Sequence, residues 1–199
     1  MNAIVFATEQ EARPFLKKYE RGRFDGLEEG EIVRDDALVV TITGLGKIKA
    51  ALRTDQLLRG HRVRRLIHAG TCTALTTSLA LGELVAADQV FEGDRIELSA
   101  PTYPRMPLDV FDPSMKQGTL VTQDHTPQDE KERTYWQRIA QMSDMSGYAV
   151  AYVSATYGVP CFIIKAIAGY LFGQDENFQR SLERAHESIG DFLMRHATA

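Results

Sequence analysis

Residues 158–169, GVPCFIIKAIAG, decide how this chain folds. The Gly-Val-Pro turn leads into an apolar run, which is typical of a strand buried on both faces of a sheet. Shortly before it, residues 143–149 read SDMSGYA, where Ser143 or Asp144 can cap a helix over about 146–157. The pattern therefore predicts a helix, a tight turn and a buried strand whose carboxyl end can hold a ligand.

The start of the chain predicts another strand, and this one ends next to a carboxylate. Residues 2–7 are apolar, and Thr8 lies three residues before Glu11, as in a capping box that begins a helix. Two interpretations of Glu9 and Glu11 remain open. They complement the helix dipole, or one of them overhangs the carboxyl end of the strand, where open α/β sheets bind ligands.

Two more strands in the first half end in glycine-containing turns. Residues 37–43 form a buried strand that ends at Gly44-Leu45-Gly46, and residues 63–69 form another that ends at a loop over 70–75. Between them, residues 47–58 have the spacing of an amphipathic helix. The predicted apolar face of that helix consists of Ile48, Ala51, Leu52 and Leu57.

The rest of the chain continues this alternation of strands and helices. Strands are predicted over 82–91 and 118–122, a surface helix over 130–142 with Trp136 and Ile139 facing inward, and a long final helix from near Asp175. Residues 101–113 hold four prolines and are predicted to be an irregular loop. We expect one α/β domain over 1–199, with a mixed, mostly parallel central sheet flanked by helices.

Composition excludes several classes of protein. The net charge of −4 gives no electrostatic reason to bind nucleic acid or an anionic membrane. The apolar runs are far shorter than the roughly 20 residues that cross a bilayer, and the N-terminus does not resemble a signal peptide. A cytoplasmic location is therefore expected. Cys72 and Cys161 have no metal-ligand spacing, so we expect reduced cysteines and no metal, and we also expect no cofactor.

Four stretches of the chain together resemble the purine nucleoside phosphorylase and uridine phosphorylase superfamily, nearest its methylthioadenosine/S-adenosylhomocysteine nucleosidase branch. They are residues 7–11, residues 43–51, residues 68–75 with 81–85 after them, and residues 144–149 through 159–167. The resemblance implies cleavage of the N-glycosidic bond of a small-molecule nucleoside. It also implies a homo-oligomer, most simply a dimer.

By this resemblance, Glu11 is the carboxylate that activates water, and it is the expected catalytic residue. The expected substrate-binding residues are Gly70, Thr71 and Cys72 on the ribose and phosphate loop, Met145 under the ribose, and Asp124, His125, Asp144 and Ser146. Two positions depart from the family. Ser146 stands where a ribose-binding glutamate is expected, and Gly169 stands where a general-acid aspartate is expected.

Loss of a general acid typically lowers a rate by about 100-fold to 10,000-fold, so another group would have to supply the proton. Side chains near the expected position are Asp124, His125, Asp144, Lys165 and Asp175. Each also has a simpler explanation as a cap, a turn residue or a solvated charge. The sequence thus predicts either a divergent nucleosidase or a catalytically degenerate relative that still binds a nucleoside or base.

Phosphate is the remaining alternative partner, because some relatives of this kind are phosphorylases. In the phosphorylase-type version of residues 68–73 an arginine precedes the glycine turn, and His68 occupies that place here. An unperturbed histidine is mostly neutral at pH 7 and binds phosphate less well than arginine does. The sequence therefore favours hydrolysis over phosphorolysis.

Overall fold

A computed structural model describes residues 1–20, 24, 26–95, 103–127, 129–170 and 178–198. It contains one mixed sheet of nine strands, and five helices pack around it. The strands are β1 (Asn2–Phe6), β2 (Ile32–Arg34), β3 (Leu38–Ile42), β4 (Arg65–Ala74), β5 (Leu84–Glu92), β6 (Arg105–Pro107), β7 (Lys116–Thr122), β8 (Met142–Asp144) and β9 (Cys161–Tyr170). The helices are α1 (Glu9–Lys18), α2 (Lys47–Gly60), α3 (Glu130–Gln137), α4 (Gly147–Thr156) and α5 (Phe178–His196).

The predicted mixed α/β architecture is confirmed, with β9 near the middle of the sheet. Strand β9 pairs in parallel with β4 and antiparallel with β5, so it joins the two halves of the sheet. Helices α2 and α4 pack on one face, and α1 and α5 pack on the other. Because both faces are covered, Ile163, Ile164 and Ile167 of β9 are buried, as the apolar run predicted.

Strands β4 and β9 are both longer than the sequence predicted. The loop expected over 70–75 is wrong for most of its length, because β4 continues to Ala74 and pairs with β9 through its end. Gly169 likewise lies inside β9 rather than ending it. The side chains of Thr71 and Cys72 are therefore held on a strand instead of a loop.

The predicted inward face of α2 is wrong in part. Ile48 and Leu52 are 82% and 50% exposed, whereas Ala50, Leu57 and Leu58 are buried. Ala50 belongs to the core cluster that α4 also joins, and its small side chain permits the two helices to approach closely. The other apolar residues of α2 are consequently left on the surface.

Two predicted segments in the second half also differ from the structure. The helix expected over 130–142 ends at Gln137, because Gln141 already bonds to the sheet through the backbone of Thr119 and Leu75. The proline-rich segment contains the short strand β6, which pairs only with β5 and so tolerates its proline at the sheet edge. The start of the last helix near Asp175 lies outside the described residues.

Among the described helices, none is long and apolar enough to cross a membrane.

Candidate active site

A cavity of about 280 Å³ lies where β1, β4 and β9 bring their carboxyl-end residues together with the first turns of α1 and α4. This is the edge of the sheet where an open α/β fold is expected to bind a ligand. The predicted residues Glu11, Thr71, Cys72, His125, Asp144, Met145 and Ser146 all line it. Lys165, Gly169, Phe178 and His186 are among the other residues of its wall.

Glu11 is held by four hydrogen bonds at the start of α1. Its Oε2 accepts from the backbone N–H groups of Ala7 (3.2 Å) and Thr8 (3.0 Å). Its Oε1 accepts from the N–H (2.6 Å) and the Oγ1 hydroxyl (2.8 Å) of Thr71. The capping box is formed, and the same carboxylate faces the cavity, so the two interpretations of Glu11 are compatible.

Gly70 contributes the space that Glu11 needs. A Cβ atom at position 70 would lie 2.9 Å from Glu11 Oε1, which is closer than a carbon and an oxygen approach without repulsion. Glycine at this position therefore lets the carboxylate reach the backbone of β4. Gly70 supports the site through its backbone and does not itself line the cavity.

A buried network of charged and polar groups forms the floor beside α4. Lys165 Nζ lies 2.8 Å from Asp144 Oδ2 and 2.9 Å from His68 Nε2. His68 Nδ1 lies 2.9 Å from the carbonyl oxygen of Val5, so Nδ1 carries the proton and Nε2 accepts from the lysine. The ammonium group thus connects β9, β4 and the start of α4 in one network.

Asp144 is the best-bonded member of this network. Its Oδ1 accepts from Thr122 Oγ1 (2.7 Å), and its Oδ2 accepts from the N–H of Gly147 (2.9 Å) as well as from Lys165. The predicted N-cap, Ser143 or Asp144, is wrong in position, because both residues lie in β8 and Ser146 is the N-cap of α4. Asp144 nevertheless accepts from the N–H of Gly147, the first residue of the helix. Although burial alone would raise the pKa of Asp144, the neighbouring charge of Lys165 holds it below its usual range.

His68 is neutral and does not reach the cavity. Burial is the main cause that lowers its pKa, and the neighbouring Lys165 charge lowers it further. The residue is fully buried and does not line the cavity wall. His68 therefore acts as an acceptor for Lys165 and offers no positive charge to a ligand.

Ser146 occupies the place of the expected ribose-binding glutamate. Its Oγ lies 2.9 Å from His68 Nε2 and 3.3 Å from Asp144 Oδ2, and it still lines the cavity. A serine is short enough to fit above the Lys165, Asp144 and His68 network, where a longer acidic side chain would add a second carboxylate next to Asp144. Met145 lines the same side of the cavity.

Phe178 covers the position of the expected general acid. A Cβ atom at Gly169 would lie 3.2 Å from Phe178 Cε2 and 3.4 Å from Cδ2. The aromatic ring of α5 therefore lies where a side chain at position 169 would begin. The missing aspartate has been replaced by an apolar surface rather than by an open space.

The two remaining predicted residues lie near the edge of the site or outside it. His125 lines the cavity, and its Nε2 lies 2.7 Å from Glu132 Oε1. Asp124 does not line this cavity. Its Oδ1 accepts from the N–H of Lys47 (2.8 Å) at the start of α2, so its visible role is that of a cap.

His186 was missed by the sequence interpretation. It lies on α5 and lines the cavity with Phe178 and Leu182, each four residues apart along one face of the helix. Burial is the main cause that lowers its pKa, although Glu11 and neighbouring glutamates act in the opposite direction. The spacing 178, 182, 186 was the signal that could have found it.

The described residues offer neither a reactive thiolate nor a cluster of metal ligands. Burial raises the pKa of the Cys72 thiol, so it is protonated at neutral pH although it lines the cavity. Cys161 is buried as well, and neither cysteine forms a disulfide with the other. Within the described ranges, no group of three or more His, Cys, Asp or Glu side chains is placed to hold a metal ion.

Comparison with known proteins agrees with this fold. The sequence profile described as the phosphorylase superfamily matches residues 2–120 and 105–196. Among curated proteins, an aminodeoxyfutalosine nucleosidase of Helicobacter pylori (strain J99) is 21% identical over 81% of this chain and 80% of its own length. A 5′-methylthioadenosine/S-adenosylhomocysteine nucleosidase of Staphylococcus aureus (strain JH9) is 26% identical over 77% of this chain and 78% of its own length.

Solved structures give the same architecture. The 5′-methylthioadenosine/S-adenosyl homocysteine nucleosidase of Campylobacter jejuni superposes with a TM-score of 0.81 at 18% identity, covering 98% of this chain and 97% of the other. A futalosine hydrolase mutant of Helicobacter pylori superposes with a TM-score of 0.77 at 19% identity, covering 96% of each chain. At these identities the likeness establishes the fold.

Proposed function

The chain belongs to the phosphorylase superfamily, and from this premise we propose that it hydrolyses the N-glycosidic bond of a small-molecule nucleoside. The observation that carries the proposal is the pair formed by Glu11 and Thr71 in the cavity, with the Thr71 hydroxyl 2.8 Å from the carboxylate. The relatives named above are nucleosidases, which supports the same reaction class.

Thr71 gives Glu11 a route to the attacking water. The carboxylate has about four acceptor positions, and four protein donors already use them. A water that donates to Thr71 Oγ1 can pass its proton through that hydroxyl to Glu11. The hydroxide adds to C1′ of the sugar while the C1′–N bond breaks, and the bonding electrons leave with the base.

The charges of the cavity suit the cationic sugar that forms during this reaction. Asp144 and Lys165 neutralise each other at 2.8 Å, so the charge of Glu11 is left to stabilise the positive ribose. Ser146 and Met145 line the cavity, and a ribose bound against them could exchange one hydrogen bond with the Ser146 hydroxyl. The buried ion pair fixes this surface without adding net charge.

Hydrolysis is favoured over phosphorolysis, because no cation of the described cavity wall is available for phosphate. Lys165 is bonded to Asp144 and His68, and His68 is buried and neutral. We expect base release to proceed equally well with and without phosphate. Acceleration by phosphate would favour a phosphorylase instead.

One observation favours a second function, that of a binding protein without turnover. Phe178 covers Gly169, so no acid stands at the position where the family resemblance expects one. A protein that binds a nucleoside tightly and releases no base from it would fit this alternative.

The experiment is a base-release assay with a matched pair of variants. The purified protein is incubated with 5′-methylthioadenosine, S-adenosylhomocysteine, aminodeoxyfutalosine and unmodified nucleosides, and free base is quantified by chromatography. Glu11→Gln should lower the rate at least about 100-fold, because it removes the proton acceptor. Glu9→Gln changes an exposed carboxylate in the same helical turn and should leave the rate nearly unchanged. Equal rates in the two variants would remove Glu11 from the mechanism.

We further propose a homodimer that forms through the exposed face of α2 and α4. Leu45, Ile48, Leu52 and Tyr152 are 61%, 82%, 50% and 57% exposed, which makes a concentration of large apolar side chains on one side of the molecule. Light scattering after size exclusion should give twice the mass of the chain. Ile48→Glu with Leu52→Glu should give a folded monomer, and a monomeric wild type would contradict the proposal.

We propose a cytoplasmic location, as the sequence predicted, and the state of the two cysteines is compatible with it. Both cysteines are free, and both are buried. Fractionation of cells that express the tagged full chain would place it.

A further inference from the structure

The cavity offers no free acid to a departing base among the residues that the structure describes. Its two carboxyl side chains are Glu11 and Asp144. Glu11 is held by four donors, and the pKa of Asp144 is held below its usual range by Lys165 despite its burial. Both carboxyl groups therefore accept hydrogen bonds from the protein, and neither presents an O–H donor to a departing base.

The histidines of the cavity wall do not replace the missing acid. His186 is half-buried, and its lowered pKa keeps its ring neutral near pH 7, with burial as the main cause. His125 Nε2 lies 2.7 Å from Glu132 Oε1, so this ring nitrogen is directed at Glu132 rather than at a base in the cavity, and that carboxylate balances a charge on the ring. The described cavity therefore presents one uncompensated negative charge, that of Glu11, because Asp144 and Lys165 cancel.

Phe178 supplies an aromatic surface at the same place. Phe178 lines the cavity, and its Cε2 would lie 3.2 Å from a Cβ atom built at Gly169. The face of a benzene ring attracts cations, and the strength of this attraction is about 0.5–1 kcal/mol at exposed sites. A negative cavity with an aromatic wall is better suited to a cationic ligand than to a neutral one.

From these observations we propose that the substrates are nucleosides whose base is positively charged before the bond breaks, such as N7-alkylated purine ribosides or pyridinium ribosides. The inference depends on the proposed nucleosidase activity and specifies its substrate class. A cationic base accepts the electron pair of the C1′–N bond and leaves as a neutral molecule. It needs no proton from the enzyme.

The balance of the reaction agrees with the groups that are present. Water supplies hydroxide to C1′, and its proton passes through Thr71 to Glu11 and then to solvent. The positive charge of the base disappears when the bonding electrons move onto its ring nitrogen. A neutral purine, by contrast, would leave as an anion and would require the acid that Gly169 cannot provide.

The test compares 7-methylguanosine with guanosine, which differ by one methyl group and its charge, below the pH at which 7-methylguanosine loses that charge. Nicotinamide riboside serves as a second cationic substrate. We expect kcat/KM for 7-methylguanosine to exceed that for guanosine by about 100-fold to 10,000-fold, the usual contribution of a general acid. A ratio near one would overturn the inference while base release itself upheld the proposed function. Release of base from no nucleoside would overturn both.

A pair of variants separates enzyme effects from the intrinsic reactivity of the methylated base. Gly169→Asp restores a carboxyl group, and Gly169→Asn adds a side chain of the same size without an acid. Only Gly169→Asp should raise the rate with guanosine, and neither should raise it with 7-methylguanosine. Equal effects of the two variants on guanosine would contradict the proposal.

Two more variants test the aromatic wall and the neighbouring chain. Phe178→Leu should raise KM for 7-methylguanosine about two- to five-fold more than it raises KM for guanosine, because both bases lose an aromatic contact and only the cationic base loses the attraction of its charge to the ring. Asp175 lies outside the described residues, and Asp175→Asn is therefore measured in parallel. Rapid hydrolysis of guanosine that disappears in Asp175→Asn would identify another acid and overturn the inference.

Discussion

Lys165→Met should strongly destabilise the protein, because it removes one partner of a fully buried ion pair. Lys165 is 1% exposed, and its Nζ lies 2.8 Å from Asp144 Oδ2 and 2.9 Å from His68 Nε2. Breaking such a pair typically costs about 3–5 kcal/mol, since the remaining charge stays buried without its counter-ion. Asp144 keeps its bonds from Thr122 and Gly147, so we expect the lower end of this range.

The measurement is urea unfolding, with thermal unfolding as a second probe. A loss of about 3 kcal/mol corresponds to a fall in Tm on the order of 10 °C for a chain of this size. Lys18→Met is the matched control, because Lys18 pairs with Glu187 and Asp191 on the surface and its side chain is 39% exposed. It should cost less than about 1 kcal/mol.

A double-mutant cycle isolates the interaction between the two charges. Asp144→Asn leaves the lysine unpaired, whereas Asp144→Asn with Lys165→Met removes both charges and should cost less than the sum of the single variants. Strict additivity, or a cost for Lys165→Met that equals that of Lys18→Met, would refute the conclusion that Lys165 and Asp144 form a strongly coupled buried ion pair.

Three other predictions concern stability. The free energy of unfolding should fall as the pH drops below about 6.5, because the lowered pKa of His68 means that the unfolded chain binds this proton before the folded chain does, with a limiting slope of about 1.4 kcal/mol per pH unit. The pKa of Asp144 is also lowered on folding, so stability should fall further as the pH drops below 3.8, the ordinary pKa of that group. In urea unfolding measured at a series of pH values, His68→Gln should flatten the dependence near pH 6.5. Gly190→Ala should cost about 1–3 kcal/mol, because its Cβ would lie 2.8 Å from Pro14 Cβ and 3.1 Å from the backbone of α1. Gly60→Ala, with nothing within 4 Å, should be neutral or slightly stabilising, and equal effects of the two substitutions in thermal unfolding would contradict this packing. Ser146→Glu should lower the free energy of unfolding by about 3 kcal/mol or more at pH 7, because it places a second carboxylate beside Asp144. Ser146→Gln has nearly the same size without the charge and should cost less. Indistinguishable unfolding curves for these two variants would show that the protein accommodates the carboxylate.

The sequence alone predicted those features for which the local residue pattern and the tertiary structure favour the same conformation. Strand β9 reads as a continuous apolar run because both faces of the sheet are covered, and the pattern of burial follows directly. The capping box of Thr8 and Glu11 is equally local, since its donors and acceptors lie within three residues. These features identified the edge of the sheet that holds the cavity.

The sequence was insufficient where a distant partner decided the outcome. Ala50 faces the core instead of Ile48 because α4 packs closely against α2, and no spacing within α2 contains that information. Strand β4 extends past Gly70 because β9 is long enough to pair with it. His186 enters the cavity from the last helix, more than a hundred residues after Thr71, so only its position on the helix face pointed to it.

The departures at Ser146 and Gly169 have different physical consequences, although each removes an expected carboxylate. Ser146 belongs to a closed network in which Asp144, Lys165 and His68 already satisfy one another. A glutamate there would require a further positive charge, so position 146 cannot change independently of the residues beneath it. Position 169 is different, because among the described residues only the Phe178 ring lies within 4 Å of a Cβ atom built there, and Phe178 is 49% exposed. We therefore expect the single substitution Gly169→Asp to add an acid to the described cavity, and we expect the protein without it to favour a positively charged leaving base.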